Sequence, residues 1–250
     1  MKRLSLKSLS FLLLSPFWVH SQVINIESKR FLNDTNGLVG RVDLQLNINQ
    51  NVQQVLQSGI NVHAQYRRDK TRLLLISDLA FIKAGAQDFV NAGYQHIRYN
   101  YKIWPKVTWE AFLQGQYNRV LLLESRYAGG TGPRIRLFKL NKFRLYGAAL
   151  YMYEIQKRVP ETTQQFNHRA STYLSMSWNF RSAELIGTVF YQPNLITTGD
   201  YRFAGDLALE ISFTSRLMFK SAFNFLYDTR QPVGVPTLTY LLRNGLSYKF

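Results

Sequence analysis

Three polar side chains alternate along one short stretch of the chain, His96, Arg98 and Asn100. A histidine beside a serine hydroxyl can activate it for lipid hydrolysis, provided that both groups reach the surface where the lipid lies. The alternation instead places His96 among residues of the polar, inward face, and no Gly-x-Ser-x-Gly elbow is present. We therefore predict that the protein is not an enzyme. A lipid hydrolase or deacylase is the alternative.

Patterns for a metal or a phosphate group are equally weak. The chain has no cysteine, and His63, His96 and His168 do not pair at ligand spacing. Gly129-Gly130-x-Gly132 resembles a phosphate loop but lacks the following Lys-Ser/Thr and the start of a helix. Glycines inside a strand more often mark a bend or a close approach of another group. We predict no catalytic, cofactor-binding or metal-binding residue, and no cofactor.

Charged residues that the alternation places on the same face as the polar side chains give more information about the interior. They are Arg41, Asp43, Arg98, Glu110, Glu124, Arg126, Arg134, Arg136, Arg169, Glu184, Arg202, Asp206, Glu210 and Arg243. Opposite charges across a narrow interior should pair, with arginine forks binding carboxylates bidentately. Two interpretations stay open: a basic constriction that selects small anions, or an ion-pair network that fills and rigidifies the interior.

Eight residues are the candidates for lining this interior. They are His96, Arg98, Asn100, Glu110, Gln114, Arg126, Arg134 and Arg136. The nearest carboxylates in sequence, Glu110 and Glu124, are fewer than the arginines beside them. This surplus of positive charge predicts an interior that attracts anions rather than cations.

These residues have to be positioned by β-strands, because period-2 alternation persists from residue 38 onward. It predicts twelve strands, at 38–49, 54–66, 71–82, 87–102, 106–118, 121–138, 143–155, 167–180, 184–192, 201–213, 216–229 and 237–250. A tilted transmembrane strand needs ~9–11 residues, whereas strands of globular proteins average about 5–6. Apolar residues face outward and polar residues inward, which is the polarity of a membrane barrel. The predicted fold class is all-β, a transmembrane antiparallel β-barrel of about 12 strands.

The predicted connections sort by length. Short turns at 67–70, 103–105, 139–142, 181–183 and 214–215 alternate with connections that include the longer loops 156–166, 193–200 and 230–236. Short periplasmic turns and long extracellular loops are the rule in outer-membrane barrels, so both termini are predicted to be periplasmic. The first three connections on the long-loop side are short, which departs from that rule. A soluble periplasmic β-sandwich is the competing interpretation.

Both ends of the chain carry features of export. Residues 1–21 combine a charged start, a short apolar segment and a small-residue exit, which predicts a signal peptide cleaved after Ser21. We predict a short periplasmic segment at 22–36 and the barrel at 37–250. The alternating segment from Leu238 ends in Phe250, which predicts recognition by the barrel-insertion machinery. No apolar run of about 20 residues follows the N-terminus, so no transmembrane helix is predicted.

The net charge of the chain limits the classes of partner that it is expected to bind. The formal net charge is +16. An exported protein meets little nucleic acid, so we exclude nucleic acid and predict contacts with outer-membrane lipid, anionic lipopolysaccharide and small anionic solutes. The absence of cysteine excludes a lipoprotein anchor and disulfides.

The middle of the chain is distinctive. Residues 93–101 read Gly-Tyr-Gln-His-Ile-Arg-Tyr-Asn-Tyr, and residues 108–118 read Thr-Trp-Glu-Ala-Phe-Leu-Gln-Gly-Gln-Tyr-Asn. Together with residues 83–91 and 126–134, these runs resemble the family of salt-induced outer-membrane proteins, a barrel domain of unknown function in Gram-negative bacteria. The resemblance covers residues 24–250 and implies an outer-membrane β-barrel without implying any catalytic residue. We expect a structural envelope element or a narrow, porin-like, anion-preferring pore.

Overall fold

The computed structural model describes residues 36–50, 54–84, 87–161, 163–214 and 217–248. The signal peptide predicted at 1–21 and the terminal Phe250 lie outside these residues, as does all of the predicted 22–36 segment except its last residue. No helix among the described residues is long and apolar enough to cross a membrane.

Within the described residues, twelve antiparallel strands form one sheet in chain order. They are β1 (Gly37–Gln50), β2 (Gln54–Arg68), β3 (Thr71–Ala84), β4 (Gln87–Lys102), β5 (Val107–Asn118), β6 (Leu123–Leu140), β7 (Phe143–Arg158), β8 (Gln165–Phe180), β9 (Ala183–Pro193), β10 (Tyr201–Ser212), β11 (Leu217–Asp228) and β12 (Leu238–Tyr248). A short 3-10 helix, Arg119–Leu121, joins β5 to β6. The predicted number of strands is confirmed, and each predicted boundary lies within three residues of the observed one.

The two faces of the sheet have opposite polarity. In β5 the side chains of Trp109 and Leu113 are exposed, whereas Glu110 and Phe112 are buried between them. A soluble sandwich would bury the apolar face and expose the charges, which is the reverse of this arrangement. The alternation therefore creates an inner face that carries the charges and an outer face that carries exposed aromatic and aliphatic groups.

The sheet curves round so that distant strands touch through their inner faces. Arg158 of β7 binds Asp228 of β11, four strands further along. In a flat sheet these strands would lie about 19 Å apart, because neighbouring strands are ~4.8 Å apart, and no side chain spans that gap. The predicted fold class, an all-β antiparallel barrel of about twelve strands, is confirmed in strand number, order and curvature. Within the described residues the pairing runs from β1 to β12, and no pairing joins these two edge strands.

The two ends of the barrel differ in their connections. At one end, called the turn end, β-hairpins close through tight turns in which Asp69, Asn141 and Arg181 take positive φ angles. Asp and Asn tolerate this left-handed conformation, which suits two-residue hairpin turns. The opposite end, called the loop end, carries the longer connections 159–164, 194–200 and 229–237. This sorting agrees with the distribution of short and long connections predicted from the sequence.

One residue that the sequence predicts to face inward, Glu124, faces outward because of an irregularity in β6. The register of β6 against β7 shifts between Leu123 and Ser125, and the extra residue reverses the facing of the side chains that precede it. Leu123 is consequently buried, whereas Glu124 points outward and binds Lys157 at 2.9 Å. The assignment of Glu124 to the interior is therefore wrong, because strict alternation cannot anticipate a bulge.

Candidate functional site

The structure places the eight candidate residues on the inner face of the sheet. Six of them, His96, Arg98, Asn100, Glu110, Arg126 and Arg134, are buried, and Gln114 and Arg136 are half-buried. They do not form one group. Most lie in the half of the lumen near the turn end, whereas Arg126 lies in the half near the loop end.

The first group, called the Glu110 cluster, comprises Glu110, Arg98, Arg134, Tyr173 and His96. Arg98 donates to Glu110 Oε2 through Nη1 at 2.6 Å, and the Tyr173 hydroxyl donates to the same oxygen at 2.7 Å. Arg134 Nε lies 3.9 Å from Glu110 Oε1. Since Tyr173 belongs to β8 and Glu110 to β5, this cluster ties together two walls of the lumen.

His96 is held inside this cluster. Its ring stacks between Tyr94 and Phe112, with centroids 6.0 and 5.4 Å away, and its Nε2 accepts a hydrogen bond from Arg98 Nε at 3.2 Å. The side chain is 1% exposed. A histidine that hydrolyses membrane lipid has to reach the outer face of the barrel, whereas this ring faces the lumen.

The second group, called the Glu154 cluster, comprises Glu154, Arg126, Arg169, Arg202, Asp228, Arg158 and Asp200. Arg202 binds Glu154 with both Nη groups, at 2.5 Å to Oε2 and 3.1 Å to Oε1. Arg126 Nε lies 3.3 Å from Oε2, and Arg169 Nε donates to Oε1 at 3.4 Å. One carboxylate thus contacts guanidinium groups from β6, β8 and β10.

Two further carboxylates extend the Glu154 cluster toward the loop end. Asp228 accepts from Arg202 Nε at 3.0 Å and from Arg158 Nη2 at 2.9 Å. Asp200 accepts from Arg169 Nη2 with both oxygens at 2.9 Å. Because each guanidinium shares its donors among several oxygens, the cluster is a connected network rather than a set of separate pairs.

Sequence reasoning missed Glu154, Asp200, Asp228 and Tyr173. Glu154 shares its parity with Leu150 and Met152, so β7 is apolar on both faces along part of its length and did not reveal which face is inner. Asp228 lies on the same face of β11 as the polar Asn224, and this could have identified it as an inner-face residue. Asp200 lies in the 194–200 loop, where alternation gives no information.

The buried charges are balanced, which corrects the predicted surplus of positive charge near β6. Among the described residues, six arginines and six carboxylates are buried. They are Arg98, Arg126, Arg134, Arg158, Arg169 and Arg202, with Asp78, Glu110, Glu154, Asp200, Asp206 and Asp228. Carboxylates from β7, β11 and the 194–200 loop supply the charge that neighbours in sequence do not. The excess of positive charge therefore lies elsewhere.

An apolar layer separates the two clusters. It consists of Phe112, Ala128, Leu150, Met152 and Phe190, which pack into one buried group with the ring of Tyr173. On β5 this layer follows Glu110, and on β7 it precedes Glu154, so it lies between the charged levels. The two charged levels are therefore divided by an apolar level on the inner face of β5 to β9.

The excess of positive charge is found at the turn end, around a cavity of about 180 Å³ that we call the basic vestibule. It is lined by Arg67, Asp69, Lys70, Thr71, Arg72, Asn100, Lys102, Pro105, Lys106, Thr108, Arg134, Arg136 and Tyr146. The guanidinium carbon of Arg134 lies 3.8 Å from the centre of the Tyr146 ring. Seven of these described lining residues are cationic and one is a carboxylate. Arg134 is also one of the balanced buried charges, so the other six cations face a single carboxylate and the vestibule is basic.

A metal site is not formed by the described residues, which include no group of three or more His, Cys, Asp or Glu side chains placed to hold an ion. The absence of a metal and of a cofactor in the functioning protein stays a prediction from the sequence.

The sequence profile of a family described as "Protein of unknown function, DUF481" matches residues 53–250. None of the curated proteins compared with the chain matches it significantly.

Solved structures show weak similarity in the path of the chain. The NanC porin is 8% identical, with 78% of this chain and 94% of that chain covered and a TM-score of 0.47. The KdgM porin is 12% identical, covering 85% and 99%, with a TM-score of 0.43. The translocator domain of the autotransporter NalP from Neisseria meningitidis is 12% identical, covering 87% and 90%, with a TM-score of 0.41.

Proposed function

The chain belongs to the DUF481 family of proteins of unknown function, and we propose that it is an outer-membrane β-barrel with a narrow lumen that passes small solutes and prefers anions. The observation that carries the proposal is the polarity of the two faces. Large apolar side chains such as Leu113 and Leu246 are exposed outside, whereas Glu110, Glu154 and their arginine partners are buried inside. Lipid around the outer face would cover the apolar groups.

On the outer face, the distance between the two levels of aromatic side chains matches the thickness of the apolar part of a membrane. Exposed Trp178 pairs edge-to-face with Phe143 near the turn end, and Tyr153 lies near the loop end of the same strand as Phe143. Ten residues of strand separate Phe143 from Tyr153, and at ~3.3 Å per residue and a tilt of ~40° they span about 25 Å. This matches the apolar band between the two aromatic girdles of an outer-membrane barrel, about 25 Å tall. The outer-face pair of Glu124 and Lys157 lies beyond this band, at the loop end.

The lumen is narrow because side chains cross it. The two charged clusters and the apolar layer occupy the side formed by β4 to β11. β3 buries Leu74 and Ile76 on its inner face, whereas the inner face of β1 forms a polar, more exposed side that includes the ion pair of Arg41 and Asp43. This polar side offers the room for a small hydrated solute, and the basic vestibule at the turn end favours anions there.

Planar-bilayer recording of the purified protein tests the proposal. We expect a small conductance with a preference for chloride over potassium. Replacing Arg134→Gln and Arg136→Gln should lower that preference, because both side chains line the vestibule. A matched control is Lys139→Gln with Lys142→Gln, which removes two exposed charges at the same end outside the vestibule. Cation preference in the unmodified protein would contradict the proposal.

A second candidate, a structural envelope element without conductance, is favoured by the side-chain networks that cross the lumen. Complete absence of conductance from correctly folded protein would contradict the pore and support this role. The buried arginines would then act as struts between the walls.

Localisation and export are part of the proposal. We propose that the chain is carried to the outer membrane of a Gram-negative cell by its N-terminal signal and inserted there, among phospholipid and lipopolysaccharide, through recognition of the C-terminal sequence that includes Phe250. Deleting Phe250 should reduce the amount of protein in the outer-membrane fraction. Normal amounts after the deletion would count against this role of the terminal residue.

We also propose that the protein has no enzymatic activity, since His96 faces the lumen. Purified protein is assayed on phospholipid and on lipopolysaccharide, with His96→Ala as the control. Turnover that this substitution abolishes would support the hydrolase alternative instead. The name of the family that the sequence resembles refers to induction by salt, which is tested by comparing protein amounts in cells grown at low and high salt.

A further inference from the structure

The basic vestibule is assembled from separate connections at the turn end. Lys70 comes from the β2–β3 turn, Lys102 from the end of β4, and Lys106 from the β4–β5 turn. Backbone hydrogen bonds fix these connections to one another: Lys102 N donates to Lys70 O at 2.8 Å, and Arg136 N donates to Lys106 O at 2.8 Å. The rim is therefore held by backbone contacts and does not depend on the ligand for its shape.

The charge of the lining calls for a multiply charged anion. Seven cationic side chains surround a cavity of about 180 Å³, and Asp69 is the one carboxylate among the described residues that line it. Asp69 already accepts a hydrogen bond from Asn36 Nδ2 at 3.2 Å. A single chloride would leave most of this charge uncompensated, whereas a polyvalent oxyanion places several negative oxygens among the cations.

The geometry of the donors favours a tetrahedral oxyanion over a planar carboxylate. Arginines reach the cavity from β2, β3 and β6, and lysines approach it from two turns and β4, so donors surround the space instead of lying in one plane. The stacking of Arg134 on Tyr146 fixes the plane of that guanidinium. Neutral donors, Asn100 and Thr108, complete the lining. Phosphate presents oxygens in several directions and suits such a cage.

We propose that the basic vestibule is a saturable binding site for a compact phosphate-class oxyanion. The inference rests on the proposed function, an anion-preferring lumen. It adds the class of anion that binds at the turn end of that lumen. Binding and conductance are separate measurements, so each part can fail without the other.

Isothermal titration of the purified full barrel with inorganic phosphate and pyrophosphate tests the site. We expect binding of one pyrophosphate per chain, tighter than that of inorganic phosphate and tighter than that of succinate, which carries planar carboxylates. Lys102→Gln with Lys106→Gln should weaken pyrophosphate binding at least about tenfold, equivalent to about 1.4 kcal/mol. These two lysines are exposed at the rim, so the variant should fold normally.

The control removes the same number of charges at the same end. Lys139→Gln with Lys142→Gln should change pyrophosphate affinity less than about twofold, because neither residue lines the cavity. Equal losses in the two double variants would overturn the proposal, since they would show attraction by overall charge. Absence of saturable binding, or equal affinity for succinate, would also overturn it.

The source of the phosphate group is resolved by changing the surrounding lipid. Pyrophosphate binding is compared in bilayer discs of phosphatidylcholine and of phosphatidylglycerol. Equal binding supports a soluble ligand, because the vestibule lies on the inner face. Loss of binding in phosphatidylglycerol would overturn the soluble ligand in favour of a lipid headgroup. Specific binding without conductance would contradict the proposed pore alone, and anion-selective conductance without saturable binding would contradict this inference alone.

Discussion

Removing the charge of Glu154 is the sharpest perturbation of the lumen. In Glu154→Gln the side chain keeps its size and one acceptor oxygen but loses the carboxylate that contacts Arg202, Arg126 and Arg169. The side chain is 1% exposed, so solvent cannot replace the missing charge. We therefore expect a large loss of stability.

The magnitude follows from the remaining partners. Breaking a buried ion pair by removing one partner costs about 3–5 kcal/mol. Arg202 keeps its contact with Asp228, and Arg169 keeps Asp200, so two of the three guanidinium groups retain a carboxylate. We therefore expect the lower end of that range, about 3 kcal/mol. Folded domains are stable by only about 5–15 kcal/mol, so this change would be conspicuous.

Glu124→Gln is the matched control, because it is the same substitution on the outer face of a neighbouring strand. Its pair with Lys157 is partly exposed, and such pairs contribute about 0–1 kcal/mol. Urea unfolding of both variants, refolded in detergent and followed by tryptophan fluorescence, gives the free energies of unfolding. Equal destabilisation by the two substitutions would refute the assignment of Glu154 to a buried network and of Glu124 to the surface.

Two further substitutions test the packing of the lumen and of the sheet. Tyr173→Phe removes the hydroxyl that donates to the Glu110 carboxylate, and should lower the free energy of unfolding by about 1.5–3 kcal/mol; an unchanged value would contradict the Glu110 cluster. Gly132→Ala places a methyl group against the Ala149 carbonyl oxygen, so we expect a loss of about 1–3 kcal/mol in the same assay. Gly245→Ala meets no atom within 4 Å and is the control; equal effects would contradict the close approach of β6 to β7.

The strands were predictable because alternation is a local property of the sequence. Side chains of β5 and β10 read correctly as inner or outer from their own order, and turn formers marked the tight connections. The β6 bulge was not predictable in this way, because one extra residue at Leu123 to Ser125 leaves no mark in the pattern of polarity. Glu124 was misplaced for that reason.

The site was predictable only as a list of inner-face residues. Parity placed Arg98, Arg126 and Arg202 inside but did not identify their partners. Arg98 and Arg126 bind carboxylates on the next strand of the sheet. Arg202 of β10 reaches Glu154 of β7 only because the sheet curves. The nearest carboxylates in sequence, Glu110 and Glu124, consequently gave a wrong prediction of the charge balance near β6. The carboxylates that restore it are Glu154 on the adjacent β7, whose facing the sequence did not reveal, and Asp228 on β11, which curvature brings near.

Ion selectivity of the unmodified protein, measured as a reversal potential across a planar bilayer with a KCl gradient, tests the central claim most directly. A narrow barrel with a basic vestibule predicts a small conductance whose reversal potential shifts toward the chloride equilibrium potential. A shift toward the potassium equilibrium potential, or no conductance from folded protein, would contradict a narrow anion-preferring lumen.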